Sequence, residues 1–563
     1  MKYYLILLLC PFILFGQTNP QYPNAKKSAT GKKGMVVCAH PIASEVGLDI
    51  LKKGGNAVDA AIAVQFALAV VYPQAGNIGG GGFMIYRQPN GQCFASDYRE
   101  SAPLAATRDM FLDSLKNVIP NLSMKGTLAA GVPGSVAGMY DAFVKHSKLK
   151  NWKLLIQPAI NLAQKGFVIT HQEANNLNKL KSEFLKYNTY RPAFVKDSTW
   201  YAGEKLVQKD LAKTLKAIKK DKKNGFYKGE VAELIVAEMQ KSKGLITLND
   251  LGQYTAKDRP VISFKYKGYD IYSMSPPSSG GIALLQILKM IAPYPIEKWG
   301  FHDARTVHVI AEAEKRVYAD RSKHLGDIDF YPVPISGLID SQYIANRMKN
   351  FNPEKSTPST QIQAGIPFIE KEQTTHMSIV DEFGGAVSLT TTLNDSYGAK
   401  TVVEGAGFLL NNEMDDFSSK PGVPNMYGLI GAEANAIFPK KRMLSSMTPT
   451  IVCKDGKLVL VVGTPGGSTI ITSVLQTIIN VIDFKMNVLD AVHAPRFHHQ
   501  WLPDQIFIEK NTFNEETRKK LEMMGHVLKE REYIGRVEAI FVHPDGKIDG
   551  AADFRGDDAA AGF

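Results

Sequence analysis

The stretch Gln373-Thr374-Thr375-His376 carries a hydroxyl group that becomes a useful nucleophile only if the chain is cut in front of it. Threonine is a weak nucleophile without a neighbouring base, and the sequence around Thr374 supplies none. Cleavage between Gln373 and Thr374 would create an α-amino group with a pKa of about 7.7–8.0, which is a good general base near neutral pH. The residues therefore indicate a precursor that is cleaved before Thr374.

The segments that flank the turn residues 381–385 alternate apolar and polar side chains, a pattern that predicts a β-hairpin. In the second strand, one face would carry Ala386, Ser388, Thr390, Thr392 and Asn394. Each unsatisfied polar group in a core costs about 1–3 kcal/mol, so these groups need either water or polar partners. A solvent-facing strand remains open as the simpler alternative.

The segment from Asn352 to Gln373 is rich in Pro, Ser, Thr and Gln and shows little periodicity. This composition predicts an exposed linker directly before Thr374. Cleavage there would not have to break strand pairing.

A glycine turn, defined as residues 463–468 with the sequence Gly-Thr-Pro-Gly-Gly-Ser, lies between a predicted strand and an apolar helix. Such a connection directs backbone N–H groups and the positive end of the helix dipole towards one place. An oxyanion suits that place. A tight connection with no catalytic role explains the same glycines equally well.

Other candidate sites are weaker. The four glycines Gly79–Gly82 precede a strand and lack a following Lys-Ser/Thr, so a phosphate loop is not expected. Arg99 lies beside Asp97 and Glu100, and a local ion pair is the alternative to a binding role. The pair His498-His499 would face opposite ways on a strand, and no metal or cofactor is expected.

The composition is that of a globular protein, with 563 residues of which 44% are hydrophobic and 21% charged. The formal net charge is +11, but the lysines are scattered and are not interleaved with aromatic residues. This pattern favours a solvated surface over a nucleic-acid-binding or membrane-binding one.

Residues 1–17 have a charged start, a short apolar run and a Gly16-Gln17 end, which predict a secretory signal peptide. The run is too short to span a bilayer, so export to the periplasm or the medium without a membrane anchor is expected. Cys10 follows Leu9, where a lipoprotein would need a small residue. The remaining cysteines, Cys38, Cys93 and Cys453, are too few and scattered for a disulfide framework.

Strands and helices alternate along the chain, and the hairpins have Thr-rich faces. We expect an α/β fold in which two stacked, mainly antiparallel sheets are covered by helices, as a four-layer αββα sandwich. The Pro/Gly-rich segment Pro421–Arg442, which contains Tyr427, is long enough to be a lid.

Several motifs resemble the γ-glutamyltranspeptidases, which are N-terminal-nucleophile hydrolases. The resemblance extends from about Lys33 to the C-terminus and keeps the family's order of motifs. The motifs are Asp97-Tyr98-Arg99-Glu100, Pro276-Pro277-Ser278-Ser279-Gly280-Gly281, Thr374-Thr375-His376, Thr392-Leu393-Asn394, Asn411-Asn412-Glu413-Met414-Asp415-Asp416-Phe417, Leu444-Ser445-Ser446-Met447 and Pro465-Gly466-Gly467-Ser468.

The resemblance implies a role for each motif. Thr374 would cleave the chain after Gln373, giving a large subunit (18–373) and a small subunit (374–563) that form a heterodimer. Thr392 would orient the Thr374 hydroxyl, and the Gly466 and Gly467 N–H groups would form the oxyanion hole. The implied substrate ligands are Asn394, Glu413 and Asp416 for the α-ammonium and Arg99, Ser445 and Ser446 for the α-carboxylate. Two acids and one arginine are the charges that a free amino-acid head group requires.

The resemblance also implies the substrates: glutathione or another γ-glutamyl compound as donor, and water, an amino acid or a dipeptide as acceptor. A lid with Tyr427 disfavours a poly-γ-glutamate substrate. Two alternatives remain. A cephalosporin-type acylase of the same fold would remove a glutaryl group, and an uncleaved, inactive relative would serve as a binding or surface protein.

The cleavage hypothesis predicts two bands for the purified protein on a denaturing gel, with the smaller chain beginning at Thr374. The Thr374→Ala variant should remain one full-length chain because it has no hydroxyl to attack the Gln373 carbonyl. N-terminal sequencing of the smaller band checks the site. A different first residue, or a Thr374→Ala chain that still splits there, would contradict the hypothesis.

Overall fold

The structure, a computed structural model, describes residues 19–363, 373–420 and 433–563, and at Gln373 and Thr374 it describes the backbone. The predicted signal peptide, residues 364–372 of the predicted linker, and Tyr427 with residues 421–432 of the predicted lid lie outside the described residues.

The described residues form nineteen strands and seventeen α-helices. The strands are β1 (Ser28–Gly31), β2 (Met35–Cys38), β3 (Gly81–Arg87), β4 (Cys93–Asp97), β5 (Phe167–Val168), β6 (Lys205–Leu206), β7 (Lys257–Arg259), β8 (Ile262–Tyr266), β9 (Tyr269–Ser273), β10 (Gln373–Val380), β11 (Ala386–Asn394), β12 (Thr450–Lys454), β13 (Lys457–Gly463), β14 (Phe497–His498), β15 (Ile506–Ile508), β16 (Leu528–Glu530), β17 (Glu538–Val542), β18 (Ile548–Ala552) and β19 (Ala559–Gly562). The helices are α1 (Pro41–Lys52), α2 (Ala57–Val71), α3 (Ser135–His146), α4 (Trp152–Lys165), α5 (His171–Tyr187), α6 (Lys209–Asp221), α7 (Asn224–Tyr227), α8 (Gly229–Lys241), α9 (Leu248–Gln253), α10 (Gly280–Ile291), α11 (Ile296–Trp299), α12 (Ala304–His324), α13 (Ile335–Leu338), α14 (Ser341–Arg347), α15 (Thr469–Ile482), α16 (Val488–His493) and α17 (Glu515–Met523).

Two seven-stranded sheets lie at the centre. The first has the order β19-β2-β10-β11-β3-β4-β7 and the second the order β1-β18-β17-β13-β12-β9-β8, with antiparallel neighbours throughout. Helices α1 and α2 pack against the first sheet, while α10 and α15 pack against the second, with α12 on α10. The predicted αββα sandwich is therefore confirmed.

The predicted hairpin is β10–β11 in the middle of the first sheet, with β2 and β3 as its outer neighbours. All nine residues of β11 are buried, so the solvent-facing alternative is wrong. The polar face is buried because it finds partners in the second sheet. The Ser388 hydroxyl donates to the Val462 carbonyl at 3.1 Å and accepts from the Thr450 N–H at 2.9 Å.

The opposite face of the hairpin packs against α2, all of whose residues are buried. Asn56 caps this helix through a capping box with Asp59, as the sequence predicts for its first turn. The Thr391 hydroxyl donates to the Gly81 carbonyl at 2.8 Å, which ties β11 to the start of β3. The hairpin is thus fixed on both faces.

The two sheets come into close contact where the end of β13 meets β10. A Cβ atom added at Gly463 would lie 2.3 Å from the His376 ring. That ring is held by Thr390 at 2.9 Å and by Ser378 at 3.1 Å, and burial lowers the pKa of His376 to about 3, so the ring is neutral. His376 is two residues beyond Thr374. The glycine turn, which starts at Gly463, therefore begins near the Thr374 end of β10.

The sequence pattern predicts a strand from Phe83 to Arg87 and helices from Ile282 to Ile291 and from Val307 to Asp320, and the observed boundaries differ from these by a few residues. Strand β3 begins at Gly81 and not at Phe83, because Cβ atoms at positions 81 and 82 would meet carbonyl oxygens at 2.5 and 2.4 Å. Helix α10 begins at Gly280 and not at Ile282, and α12 runs from Ala304 to His324 and not from Val307 to Asp320. Glycine therefore extends β3 and α10 by allowing neighbouring atoms to approach the backbone closely.

Neither a spanning helix nor a disulfide is found in the part of the chain that the structure describes. The helices there are too short or too polar to cross a bilayer. Cys38, Cys93 and Cys453 are free thiols.

The contact between Gly463 and His376 gives a stability prediction. Gly463→Ala should lower the free energy of unfolding by about 1–3 kcal/mol, because the hydrogen-bonded ring cannot move away from the new methyl group. Thermal unfolding of the two proteins measures the difference.

Gly252→Ala is the matched control, since a Cβ atom at Gly252 in α9 meets nothing within 4 Å. It should be neutral or slightly stabilising. Equal melting temperatures for Gly463→Ala and the unaltered protein would show that the sheets do not need this close approach.

Candidate active site

Thr374 lies opposite Thr392 in the hairpin. The register changes from Gln373 opposite Asn394 to Thr374 opposite Thr392, so the bond between Gln373 and Thr374 lies at a β-bulge. Directly opposed residues in an antiparallel pair have Cα atoms about 4.5–5.5 Å apart. The Thr392 hydroxyl oxygen accepts the Asn394 N–H at 2.7 Å, which fixes its position at the end of the strand.

The end of β11 is tied to an acidic 3₁₀ turn, Glu413–Asp416. The Asn412 N–H donates to the Leu393 carbonyl at 3.0 Å, and the Asn394 side-chain amide donates to the Asn412 carbonyl at 2.9 Å. Asn394 has a φ of +71°, so simple strand alternation does not extend to its side chain. The turn therefore lies next to the Thr374–Thr392 pair.

Arg99 lies between two acids of this turn. Its guanidinium is fully buried and pairs with Glu413 at 2.6 Å and with Asp416. The local alternative is only partly correct: Glu100 lies 3.6 Å from the guanidinium, whereas the Asp97 carboxylate accepts the Arg99 backbone N–H. Buried charges need such partners, because a lone one would be costly to desolvate.

Asp97 serves a different network. Its carboxylate pairs with Arg259 at 2.8 Å and with Arg442 at 2.6 Å. This leaves the Arg99 guanidinium directed towards the acidic turn.

Ser445 and Ser446 follow the segment along which the Arg99 side chain lies. The guanidinium donates to the Met443 carbonyl at 3.3 Å and to the Leu444 carbonyl at 3.1 Å. The Ser446 hydroxyl accepts from Arg321 at 2.8 Å. Both serines are fully buried, so hydroxyl groups and a guanidinium line the same small region.

Sequence reasoning missed Asn435, which joins the acidic turn to the segment before Ser445. Its side chain donates to the Asp416 carbonyl at 2.6 Å and accepts the Leu444 N–H at 3.0 Å. It also missed Arg321, because the predicted helix ended at Asp320 while α12 continues to His324. No local pattern marks Asn435, whereas a longer helix prediction would have placed Arg321 on a buried face.

Asp415 points away from this region although it lies inside the acidic turn. Its carboxylate accepts the Ser123 hydroxyl, and burial raises the pKa of Asp415 to about 6. Asp415 and Asp416 are thus neighbours in sequence but have separate environments.

The glycine turn completes the site. Gly466 and Gly467 have φ values of +139° and +62°, which favour glycine. Neither amide donates a hydrogen bond to an acceptor within residues 19–363, 373–420 and 433–563. The turn leads directly into α15. Both N–H groups and the helix N-terminus suit a developing negative charge.

One group with metal-ligand spacing occurs elsewhere among the described residues, formed by His308, Glu312 and His526. The two histidines bond each other at 2.7 Å, and Glu312 pairs with Lys315 and Arg316. Two cations beside the carboxylate make this a poor site for a metal ion. The group is a buried polar network, which sequence reasoning did not identify.

The structure brings most of the predicted site residues together. Arg99, Asn394, Glu413 and Asp416 are joined by contacts near Thr392, and Ser445 and Ser446 lie at the other end of the Arg99 contacts. A buried cation next to two buried acids can receive a zwitterion. Tyr427 lies outside the described residues.

Comparisons with known proteins support this chemistry. The sequence model of the Gamma-glutamyltranspeptidase family matches residues 43–563. The "Glutathione hydrolase proenzyme" of Escherichia coli (strain K12) is 49% identical over 537 residues, which cover 94% of this chain and 92% of that protein.

Two solved structures are similar to the chain. A cephalosporin acylase from Bacillus halodurans has a TM-score of 0.85 at 26% identity and covers 97% of this chain and 98% of its own. The gamma-glutamyltranspeptidase of Helicobacter pylori has a TM-score of 0.57 at 48% identity and covers 58% of this chain and 94% of that chain. With a match over most of its length, this chain belongs to the gamma-glutamyltranspeptidase family.

Proposed function

We propose that the protein is a γ-glutamyltransferase and glutathione hydrolase, made as a precursor that cleaves itself between Gln373 and Thr374. Family membership and the relatives named as glutathione hydrolase proenzymes support the activity and the processing. The roles of individual residues are those that the family resemblance implies, and the contacts among Arg99, Glu413 and Asp416 support them.

Processing begins when the Thr374 hydroxyl attacks the Gln373 carbonyl carbon. The acyl group moves from the Thr374 nitrogen to its oxygen, and water then hydrolyses the ester. This releases a carboxylate on Gln373 and an amine on Thr374. The bulge at this bond supports the proposal, because it removes regular strand pairing at the position that must change.

Turnover uses the new amine as the base. It accepts the Thr374 hydroxyl proton while the oxygen attacks the γ-carbonyl of the donor. The Gly466 and Gly467 N–H groups stabilise the oxyanion, and Thr392 orients the nucleophile. The leaving amine takes the proton, and water or an acceptor amine then removes the γ-glutamyl group from Thr374.

The observation that carries the proposal is the buried ion pairing of Arg99 with Glu413 and Asp416. A free amino-acid head group has one negative and one positive charge, and it can replace these internal partners. Its α-carboxylate takes Arg99 together with Ser445 and Ser446. Its α-ammonium takes the two acids together with Asn394. No unpaired charge is left buried after this exchange.

The γ-glutamyl donors that fit are glutathione and related compounds, with water, amino acids or dipeptides as acceptors. Tyr427 belongs to a lid over the glutamyl group in this proposal. The large subunit (18–373) and small subunit (374–563) remain together as a heterodimer, which is supported by β10 being paired on one side with β2 of the large subunit. Residues 1–17 direct export to the periplasm or the medium.

A glutaryl acylase is the second candidate, because a cephalosporin acylase shares the fold over almost the whole chain. A glutaryl group has no α-ammonium. Its carboxylate would take Arg99 away from Glu413 and Asp416 and leave two buried acids without a cation, which is costly. The charges therefore favour the γ-glutamyl substrate.

The substrate test uses anilides. The processed enzyme should release aniline from a γ-glutamyl anilide, and a dipeptide acceptor should increase the rate because transfer competes with hydrolysis. A glutaryl anilide should have a kcat/KM at least about 100-fold lower, since an unpaired buried charge costs about 3–5 kcal/mol. Equal or faster cleavage of the glutaryl compound would identify an acylase instead.

A pair of neighbouring variants tests the head-group site. Asp416→Asn should lower kcat/KM for the γ-glutamyl anilide about 10–100-fold, because a charge-assisted contact to the α-ammonium is lost. Asp415→Asn is the control, since Asp415 faces Ser123 and should retain nearly full activity. Equal losses in both variants would mean that the turn acts only through its fold.

A further inference from the structure

Each of the two amides in the glycine turn belongs to a peptide unit whose carbonyl is held by a threonine hydroxyl. The Thr464 hydroxyl donates to the Pro465 carbonyl at 2.6 Å, and the N–H of that peptide unit is the one on Gly466. The Thr469 hydroxyl donates to the Gly466 carbonyl at 2.7 Å, and the N–H of that unit is the one on Gly467. The pattern repeats over two successive peptide units.

A peptide unit is planar and trans, so its C=O and N–H point in opposite directions. A side chain that fixes the carbonyl on one side therefore fixes the direction of the N–H on the other. This matters most at glycine, which has no side chain and access to many backbone conformations. An oxyanion hole works only if its donors are already aimed before the charge develops.

The Thr464 hydroxyl is itself oriented by a further contact. Its oxygen accepts the Arg536 backbone N–H at 2.8 Å, which leaves its single hydrogen for the Pro465 carbonyl. The Arg536 guanidinium forms two bonds with Asp558, at 2.9 and 3.0 Å, and this fixes the segment that carries the N–H. Thr464 is fully buried, so water does not compete for these bonds.

Thr469 acts at the first residue of α15. Its hydroxyl and its backbone N–H both donate to the Gly466 carbonyl, at 2.7 and 3.2 Å. A Cβ atom at Gly466 would lie 2.6 Å from the same hydroxyl oxygen and 3.2 Å from Gly535. The turn therefore has little room to rotate away from this arrangement.

We propose that Thr464 and Thr469 are positioning residues that aim the Gly466 and Gly467 N–H groups at the oxyanion. The inference rests on the proposed function, since it assigns the two amides to the transition state. Both hydroxyls bond the carbonyl side of the turn, opposite to the two N–H groups. Their loss should therefore weaken transition-state stabilisation and leave ground-state binding of the donor unchanged.

The test compares two kinds of variant at each position. Thr464→Val and Thr469→Val keep the side-chain shape and remove the hydroxyl, whereas Thr464→Ser and Thr469→Ser keep the hydroxyl. Each valine variant should lower kcat for the γ-glutamyl anilide about tenfold or more while KM changes less than about twofold, since losing one oxyanion donor outright costs about 100–1,000-fold. Serine at either position should restore most of kcat.

A second readout separates positioning from general damage. Affinity for a boronate that carries the glutamyl head group, which forms a tetrahedral anion, should fall by the same factor as kcat. Inhibition by norvaline, which carries the amino-acid head group but no γ-carboxyl group, should not change. Thr477→Val is the matched control, because its buried hydroxyl donates to the Ser473 carbonyl within α15 and away from the turn.

The outcomes are distinct. Valine variants with unaltered kcat, or with boronate and norvaline affinities reduced alike, would overturn the inference. An unaltered enzyme that does not cleave the anilide would instead overturn the proposed function. If a valine variant stays uncleaved or unfolded, cysteine replaces valine at that position, because its thiol donates weakly. A lower kcat for cysteine than for serine then supports the inference, and equal values overturn it.

Discussion

The pairing of β10 with β11 is the constraint on which the rest of the site depends. It places Thr374 opposite Thr392 and ends in a bulge at the bond before Thr374. The end of β11 also holds the acidic turn through Asn412, and that turn holds Arg99. Thr374 and the cluster of Arg99, Glu413 and Asp416 are therefore both tied to the same hairpin.

Without a substrate, Arg99 offsets part of the acidic charge in the region proposed to bind the head group. Arg99 pairs with Glu413 and Asp416, so the site is stable although it is fully buried. A zwitterionic ligand exchanges these pairs for its own and leaves the total number of paired charges unchanged or higher. An anion lacking the ammonium breaks the pairs and restores only one. In the proposed function, selectivity for an amino-acid head group follows from this exchange of charge partners.

The fold could be predicted from sequence because local patterns mark its elements, whereas the roles proposed for the site residues come from the family resemblance. Alternation predicted the hairpin, and the turn from Gly463 to Ser468 predicted a strand, a glycine connection and a helix start. The burial of the Ser388 face could not be predicted, since its partners Val462 and Thr450 come from the other sheet. Asn435 and Arg321 were missed for a similar reason. Their importance lies in contacts with distant segments of the chain, which no spacing of residues in the sequence indicates.

The central claim is that Thr374 is the residue that carries the γ-glutamyl group. A glutamate analogue with an electrophile at its γ-carbon should react once per enzyme and abolish activity, and mass spectrometry of the digested small subunit should place it on the peptide that begins at Thr374. An adduct on another residue, or activity that is lost while Thr374 remains unmodified, would contradict the account.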